Sequence, residues 1–354
     1  MKGLILAAGK GAHLQDHRSV RPIPTLNIAN KAILVRALEH LQEAGIDDVA
    51  VVASPETRDA VKTLLQDINP QPQLLLQMEP KGIADAVTTA RDFLADDAFV
   101  LYLSDNVFEQ GIAEIVAAFK PEQGIHGVVA LRSVSKPENF GMALLEGQRL
   151  KKVLEKPKEA PGQQAITGVY VFDKHIHDVL DWLVPSQRGE LEITDAIQSL
   201  LNDGRHIIGV PFSGWWCDIA RIEDVFDANR ELLKGLQARN QGTLTISHAV
   251  GKVVVEAGAN LYNSMVLGPA YIGAGVKLEN AYIGPNTVVG ANEEIIDAQV
   301  ENTLIGEGAR ILSMQTRITA SIIGAGAKLS GKSSGLGNHK FALADYDSVV
   351  LQES

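Results

Sequence analysis

Six short stretches offer glycines, carboxylates or cations at spacings suited to phosphate and sugar chemistry. Leu6-Ala7-Ala8-Gly9-Lys10-Gly11 sets two glycines after an apolar run, where unhindered backbone amides can approach phosphate oxygens. It lacks the third glycine of a dinucleotide fingerprint and the Gly-Lys-Ser/Thr of a P-loop, so a plain strand-to-loop turn describes it equally well. Gln77-Met78-Glu79-Pro80-Lys81-Gly82 offers the edge of a base an amide that both donates and accepts, together with a glycine amide. An ordinary turn is the alternative.

Asp105, in Leu103-Ser104-Asp105-Asn106, follows an apolar run directly, the usual ligand position at the carboxyl end of an α/β strand. One carboxylate completed by water and phosphate oxygens suits Mg²⁺, and Asp218 in Trp215-Trp216-Cys217-Asp218 supplies a second acid. Either Asp taken singly also reads as a cap or turn residue. Glu155-Lys156-Pro157 and Arg188-Gly189-Glu190-Leu191 provide a carboxylate for sugar hydroxyls and two cations for a phosphate monoester, Arg as a fork and Lys as a point charge. Surface charge is the alternative for each. Cys217 has no base partner in view and is read as inert.

The elements that must hold these residues fall into two halves. From Met1 to about Gln241, short apolar strands alternate with helices, the pattern of a layered α/β domain on a mostly parallel sheet. Residues 4–8, 49–52, 99–103, 128–131 and 169–172 are the expected strands. Ile33, Leu34, Ala37, Leu38, Leu41 and Ala44 form a helical stripe that Gly45 stops. The stretch from Gly9 to Pro24 is long for a strand-to-helix connection in a compact domain, and such loops are usually functional. Beyond it the period changes: Val266, Ile272 and Leu278, then Ile283, Val289 and Ile295, recur every sixth residue with Gly273, Gly284, Gly290, Gly306 and Gly324 interspersed. That is the hexapeptide signature of a parallel β-helix, whose coils bury their inner faces only by stacking. The division expected is 1–241 for the α/β domain and 242–354 for the solenoid, with the period lost after Gly331 in a capping tail.

Composition bounds the alternatives. The 354 residues, 45% hydrophobic and 21% charged, describe a globular chain of about two domains, with no apolar run of membrane-spanning length. One cysteine excludes intrachain disulfides and multi-cysteine zinc sites and fits a cytoplasmic protein. The net charge of -11 argues against nucleic acid, while residues 1–40 carry a local +4 suited to a compact polyanion such as a nucleoside triphosphate.

The order of these motifs resembles the sugar-1-phosphate nucleotidyltransferases, in the long form typified by glucose-1-phosphate thymidylyltransferases with a C-terminal left-handed β-helix. The resemblance runs over the whole chain and rests on Glu155-Lys156-Pro157-Lys158, the run Arg188 to Ile197, Trp215-Trp216 with Asp218, and Ile283-Gly284-Pro285. It implies a Rossmann-like nucleotide-diphospho-sugar transferase domain that joins a nucleoside triphosphate, dTTP favoured, to a sugar 1-phosphate, glucose 1-phosphate favoured. It further implies that Leu6, Gly9, Gly11, Gln77 and Gly82 bind nucleotide, and that Gly141, Glu155, Lys156, Gly168 and Arg188 bind sugar phosphate. Asp105 and Asp218 would hold Mg²⁺, with Lys156, Arg188 and Asp105 catalytic. No membrane or nucleic acid partner is implied, and a homo-oligomer is compatible. The loop departs from the family pattern: the expected Arg and Lys are His13 and Ile23 here. Those substitutions define a rival reading, a catalytically impaired paralogue that binds nucleotide or nucleotide-sugar as a regulatory or assembly subunit. A third reading, a β-helix acyltransferase, is disfavoured because His248 and His339 lie at the solenoid ends.

Overall fold

The computed structural model describes residues 1–9, 21–159, 162, 164–314, 316–331 and 337–351. They form two compact units, residues 1–9 with 33–218 and residues 21–32 with 219–351. No helix among them is long and apolar enough to cross a membrane.

The first unit is built on a nine-stranded mixed sheet. Gln73–Leu76, Val49–Ala53, Lys2–Ala7 and Phe99–Leu103 run parallel in that spatial order, and Gln164–Phe172 continues antiparallel beside Phe99–Leu103. Gly127–Ser133, Ile207–Pro211, Arg149–Glu155 and Gly141–Glu146 complete it. The central strands are apolar at nearly every position because both faces are covered, whereas Arg149–Glu155 and Gly141–Glu146 at one side of the sheet are partly exposed. Leu4 and Leu6 point into one core with the helices Ile83–Thr89 and Ile193–Asn202, while Ile5 and Ala7 point into the other with Ile33–Glu43 and Arg58–Leu65. All five strands expected from the sequence are present, and the helix from Ile33 ends before Gly45 as its stripe requires.

The second unit is a left-handed parallel β-helix of three sheets with seven, seven and six strands. Val266, Ile283, Val300 and Ile318 stack on one sheet, Ile272, Val289, Ile305 and Ile323 on the next, and Leu278, Ile295, Ile311 and Leu329 on the third. All are buried, so the hexad reading is the core itself. Corners repeat too: Asn263, Asn280 and Asp297 hold left-handed backbone, and Asn263 donates to Asn280 over 2.8 Å, which donates to Asp297 over 2.9 Å.

Two expectations are corrected. Strands continue beyond Gly331 at Asn338–His339, Ala342–Leu343 and Ser348–Leu351; the repeat stretches to 20 residues there, as Ile322 pairs with Ala342, and so hides from a six-residue pattern. The stretch before the helix at Ile33 is also not all loop. A turn at Ile23–Thr25 is buried, and Asn27–Ile28 pairs with Lys31–Ala32 in a hairpin turning through Ala29 and Asn30. Asn229, fully buried on the helix Ile222–Leu233, accepts from the Ala29 amide at 2.9 Å and donates to the Asn286 carbonyl at 2.8 Å, tying hairpin and solenoid together within the unit.

Candidate active site

Val49–Ala53 lies to one side of Lys2–Ala7 and Phe99–Leu103 to the other, so the chain diverges between these parallel neighbours and leaves a crevice at their carboxyl ends. Gly9 and Asp105 follow the two strands. Ser104 closes the gap between them, its hydroxyl and amide both donating to the Leu6 carbonyl, at 2.6 and 3.1 Å. Gly11 and His13 lie outside the described residues.

Asn106 fixes the acid beside it. Its Nδ2 donates to Asp105 Oδ1 at 2.7 Å, and its Oδ1 accepts from Trp216 Nε1 at 2.8 Å and from the Gly168 amide at 3.3 Å. The antiparallel pair of Asn106–Phe108 with Trp216–Asp218 sets Asp218 opposite Asn106, which brings the two acids together from positions far apart in sequence. Burial raises the Asp105 pKa, opposed by the Asn106 hydrogen bond and the Lys156 charge. Burial likewise raises the Tyr170 phenol, and Glu155, Asp105 and Asp218 raise it further, so three carboxylates converge on one buried ring.

Glu155 ends the strand Arg149–Glu155, where it pairs with Gly141. It accepts from Thr194 Oγ1 and Arg188 Nη1, both at 3.0 Å. Burial and the neighbouring Glu192 raise its pKa, while Thr194, Lys156 and Arg188 pull it down. A Cβ on Gly141 would lie 2.9 Å from Thr194 Cγ2, so the glycine admits the threonine that holds Glu155. Lys156, with left-handed backbone at φ 38°, directly follows Glu155, and its charge favours the ionised form of both Asp105 and Glu155. Arg188 reaches Glu155, Glu190 and Glu192 at 3.0, 3.1 and 3.7 Å.

Gln77 is buried, and its Nε2 donates to Asp85 at 2.6 Å and to the Gly82 carbonyl at 3.3 Å. Gly82 has φ 120°, and a Cβ there would lie 2.4 Å from the Leu191 carbonyl oxygen. Leu191 donates to the Lys81 carbonyl at 2.7 Å and accepts from the Ala84 amide at 3.1 Å. The loop that carries Gln77 and Gly82 and the Arg188 loop thus share a backbone seam.

The expected residues that are described accordingly gather at one end of one sheet. Sequence reasoning missed the positioning residues Asn106, Thr194, Glu192 and Tyr170. Asn106 adjoined a chosen acid, and Glu192 and Thr194 lay inside a quoted motif; Tyr170 had no signal beyond its place in an apolar strand.

An α/β domain on a mixed sheet, with acids and cations at its switch point and a β-helix after it, is an architecture suited to a transferase that handles phosphates. The chain belongs to the nucleotidyl transferase family, whose model matches residues 2–235. It is 36% identical to a glucose-1-phosphate thymidylyltransferase of Streptomyces antibioticus over 99% of this chain and 100% of the relative. It is also 36% identical to a low-salt glycan biosynthesis nucleotidyltransferase of Haloferax volcanii, over 93% of this chain and 94% of the relative. A crystal structure of a glucose-1-phosphate thymidylyltransferase assigned to Bacillus anthracis, in complex with a sucrose, superposes with a TM-score of 0.60 at 31% identity, covering 66% of this chain and 95% of that one.

Proposed function

We propose that the chain transfers a nucleotidyl group from a nucleoside triphosphate to a sugar 1-phosphate, releasing pyrophosphate, with dTTP and glucose 1-phosphate as the preferred pair. The observation that carries this reading is the run from Asp105 and Asp218, past Lys156, to Glu155 and Arg188 at the switch point. The relatives named above support it. In this reading residues 1–241 carry catalysis and 242–354 form the β-helix domain.

Gly9 and Gly11 bring backbone amides to the nucleotide phosphates, and Gln77 and Gly82 read the base. Gly141, Gly168 and Glu155 form the sugar end, where the Glu155 carboxylate accepts from hydroxyls. Arg188 leaves its carboxylates to take the phosphate of the sugar, and Lys156 accompanies the oxygen of that phosphate as it attacks the α-phosphorus in line. No covalent nucleophile takes part. The donor set fits a hard divalent cation: a buried carboxylate whose ionisation is opposed by desolvation and favoured by one lysine, with a second carboxylate presented across a strand pair. Asp105 and Asp218 would hold Mg²⁺, which when bound offsets the charge of the triphosphate.

The test is pyrophosphate release across nucleotides and sugar 1-phosphates, paired with calorimetry on the same ligands, for the parent chain and for Asp105→Asn and Asp218→Asn. Turnover that depends on Mg²⁺ and is lost in both variants supports the assignment; unchanged Mg²⁺ dependence in both removes the metal role. The impaired-paralogue reading rests on Ile23, fully buried where the family pattern has a lysine. Binding without turnover in the parent chain would favour it.

A further inference from the structure

The sheet has a second cluster of ionisable side chains at the edge away from the crevice. His126 immediately precedes Gly127–Ser133, and Asp173 and His175 immediately follow Gln164–Phe172. These strands are antiparallel neighbours in which Gly127 opposes Phe172, and the ladder extends one step further as the Asp173 amide donates to the His126 carbonyl at 3.1 Å. Phe172 also opposes Phe99, at the start of the strand whose far end leads to Asp105. Five strand residues at ~3.3 Å each, with the flanking positions, put the cluster roughly 20 Å from the acids of the crevice.

Both imidazoles aim the same atom at the same target. His126 Nδ1 lies 2.8 Å and His175 Nδ1 2.9 Å from Asp173 Oδ2, and the three atoms all fall within 4.8 Å of one another. The rings are nearly perpendicular, at 87°. The other carboxylate oxygen, Oδ1, accepts from the His175 amide at 3.0 Å, which holds the carboxylate with Oδ2 toward the rings. All three side chains are partly exposed, leaving a face open to water.

We propose that His126, Asp173 and His175 form a binding site for a divalent transition-metal ion, of which Zn²⁺ is the representative. Two imidazoles and one carboxylate make a borderline donor set that suits Zn²⁺, Co²⁺ or Ni²⁺ rather than the hard Mg²⁺. Tetrahedral metal–ligand bonds of about 2.0–2.1 Å place neighbouring donors roughly 3.3–3.4 Å apart, so the two hydrogen-bonded Nδ1–Oδ2 separations, 2.8 and 2.9 Å, need open by only about half an ångström to admit the ion. On binding, each neutral ring carries its proton on Nε2 and gives the Nδ1 lone pair to the ion, Asp173 Oδ2 supplies the anionic ligand, and water fills the open face. The Oδ1 hydrogen bond is the outer contact that orients such a ligand. Bound there, the ion joins the ends of two central strands, one of which carries Gly168 at its midpoint.

The test uses the full chain, stripped of metal and dialysed against Zn²⁺ with Mg²⁺ in excess to occupy the crevice. One Zn²⁺ per chain is expected to remain, and His126→Gln and His175→Gln should each weaken its binding by about tenfold or more. Zn²⁺ retention that neither variant alters would overturn the site, as would the absence of retained Zn²⁺. A measurement on the unaltered chain stands apart from any folding defect of the variants: Co²⁺ should shift exactly two histidine ring N–H signals far outside the diamagnetic proton range. A Co²⁺ spectrum without shifted imidazole signals rejects imidazole ligation.

Discussion

The Gly168 amide donates to Asn106 Oδ1 over 3.3 Å, and a Cβ at position 168 would lie 2.5 Å from Asn106 Cγ. The carboxamide that rests on this glycine also holds Asp105. A single methyl at position 168 therefore acts on the acid through Asn106. Gly168→Ala is expected to cost about 1–3 kcal/mol in stability, as overpacking does. It should also lower pyrophosphate release by at least an order of magnitude, with Mg²⁺ affinity reduced. Thermal unfolding and Mg²⁺ titration of the rate check it; an unaffected Mg²⁺ response would show that Asn106 does not position Asp105.

Thr194 is one of the contacts that favour the ionised form of Glu155 against its burial. Sugar binding in the proposed reaction needs the carboxylate, so kcat/KM should fall on the acid side at a pH above the ordinary glutamate range. Thr194→Val removes a donor to the charged form, raises the Glu155 pKa further and moves that acid limb upward, with KM for sugar phosphate affected more than KM for nucleotide. The pH–rate profile of both proteins decides this, and a limb that does not move would detach Thr194 from Glu155.

Inside the solenoid, Glu293 stands where Ala259, Val276, Ala309 and Ala327 stand in other coils, and it is buried with them. One oxygen accepts from the Gly290 amide at 2.5 Å; the other has no hydrogen-bond partner among the described residues. Burial, the larger cause, and the charge of Glu307 push its pKa well up. The unfolded glutamate ionises near pH 4.3 while the folded one keeps its proton, so over that window the unfolded state binds fewer protons and stability falls as pH rises. The loss is complete once pH passes the raised folded value. Glu293→Gln keeps an acceptor for Gly290 and has no such window. It should unfold at a higher temperature than the parent at pH 7–8 and at nearly the same temperature near pH 4.

Ile23 is fully buried. Restoring the cation of the family pattern by Ile23→Lys puts an ammonium group in that place, and desolvation opposes its charge. We expect a loss of about 3 kcal/mol or more, seen as a lower unfolding temperature, with no gain in nucleotide affinity. A stable variant that binds nucleotide more tightly would show that position 23 faces a ligand.

What the sequence disclosed follows its periods. Strands buried on both faces, the helix stripe from Ile33 to Leu41 and the six-residue repeat of the solenoid are local patterns, and the structure has each of them. Asp105, Glu155 and Arg188 could be picked out as candidates because each combines a charged side chain with the end of an apolar run or a glycine turn. Asn106 and Thr194 were not, because their roles depend on hydrogen bonds to other chosen residues. The hairpin at 27–32 consists of two-residue strands, too short to show alternation. His126 and Asp173 are joined only by antiparallel register, which no spacing announces.

The contact of Gly82 with Leu191 reaches beyond local packing. Main chain meets main chain there, with bonds from Leu191 to both Lys81 and Ala84, so each loop is the mould in which the other sets. If these loops bind nucleotide and sugar phosphate as proposed, the two preferences should not exchange between relatives as independent modules. A chimaera would have to carry residues 77–84 and 186–194 together as a single cassette, because either piece imported alone would arrive without the edge it was cast against.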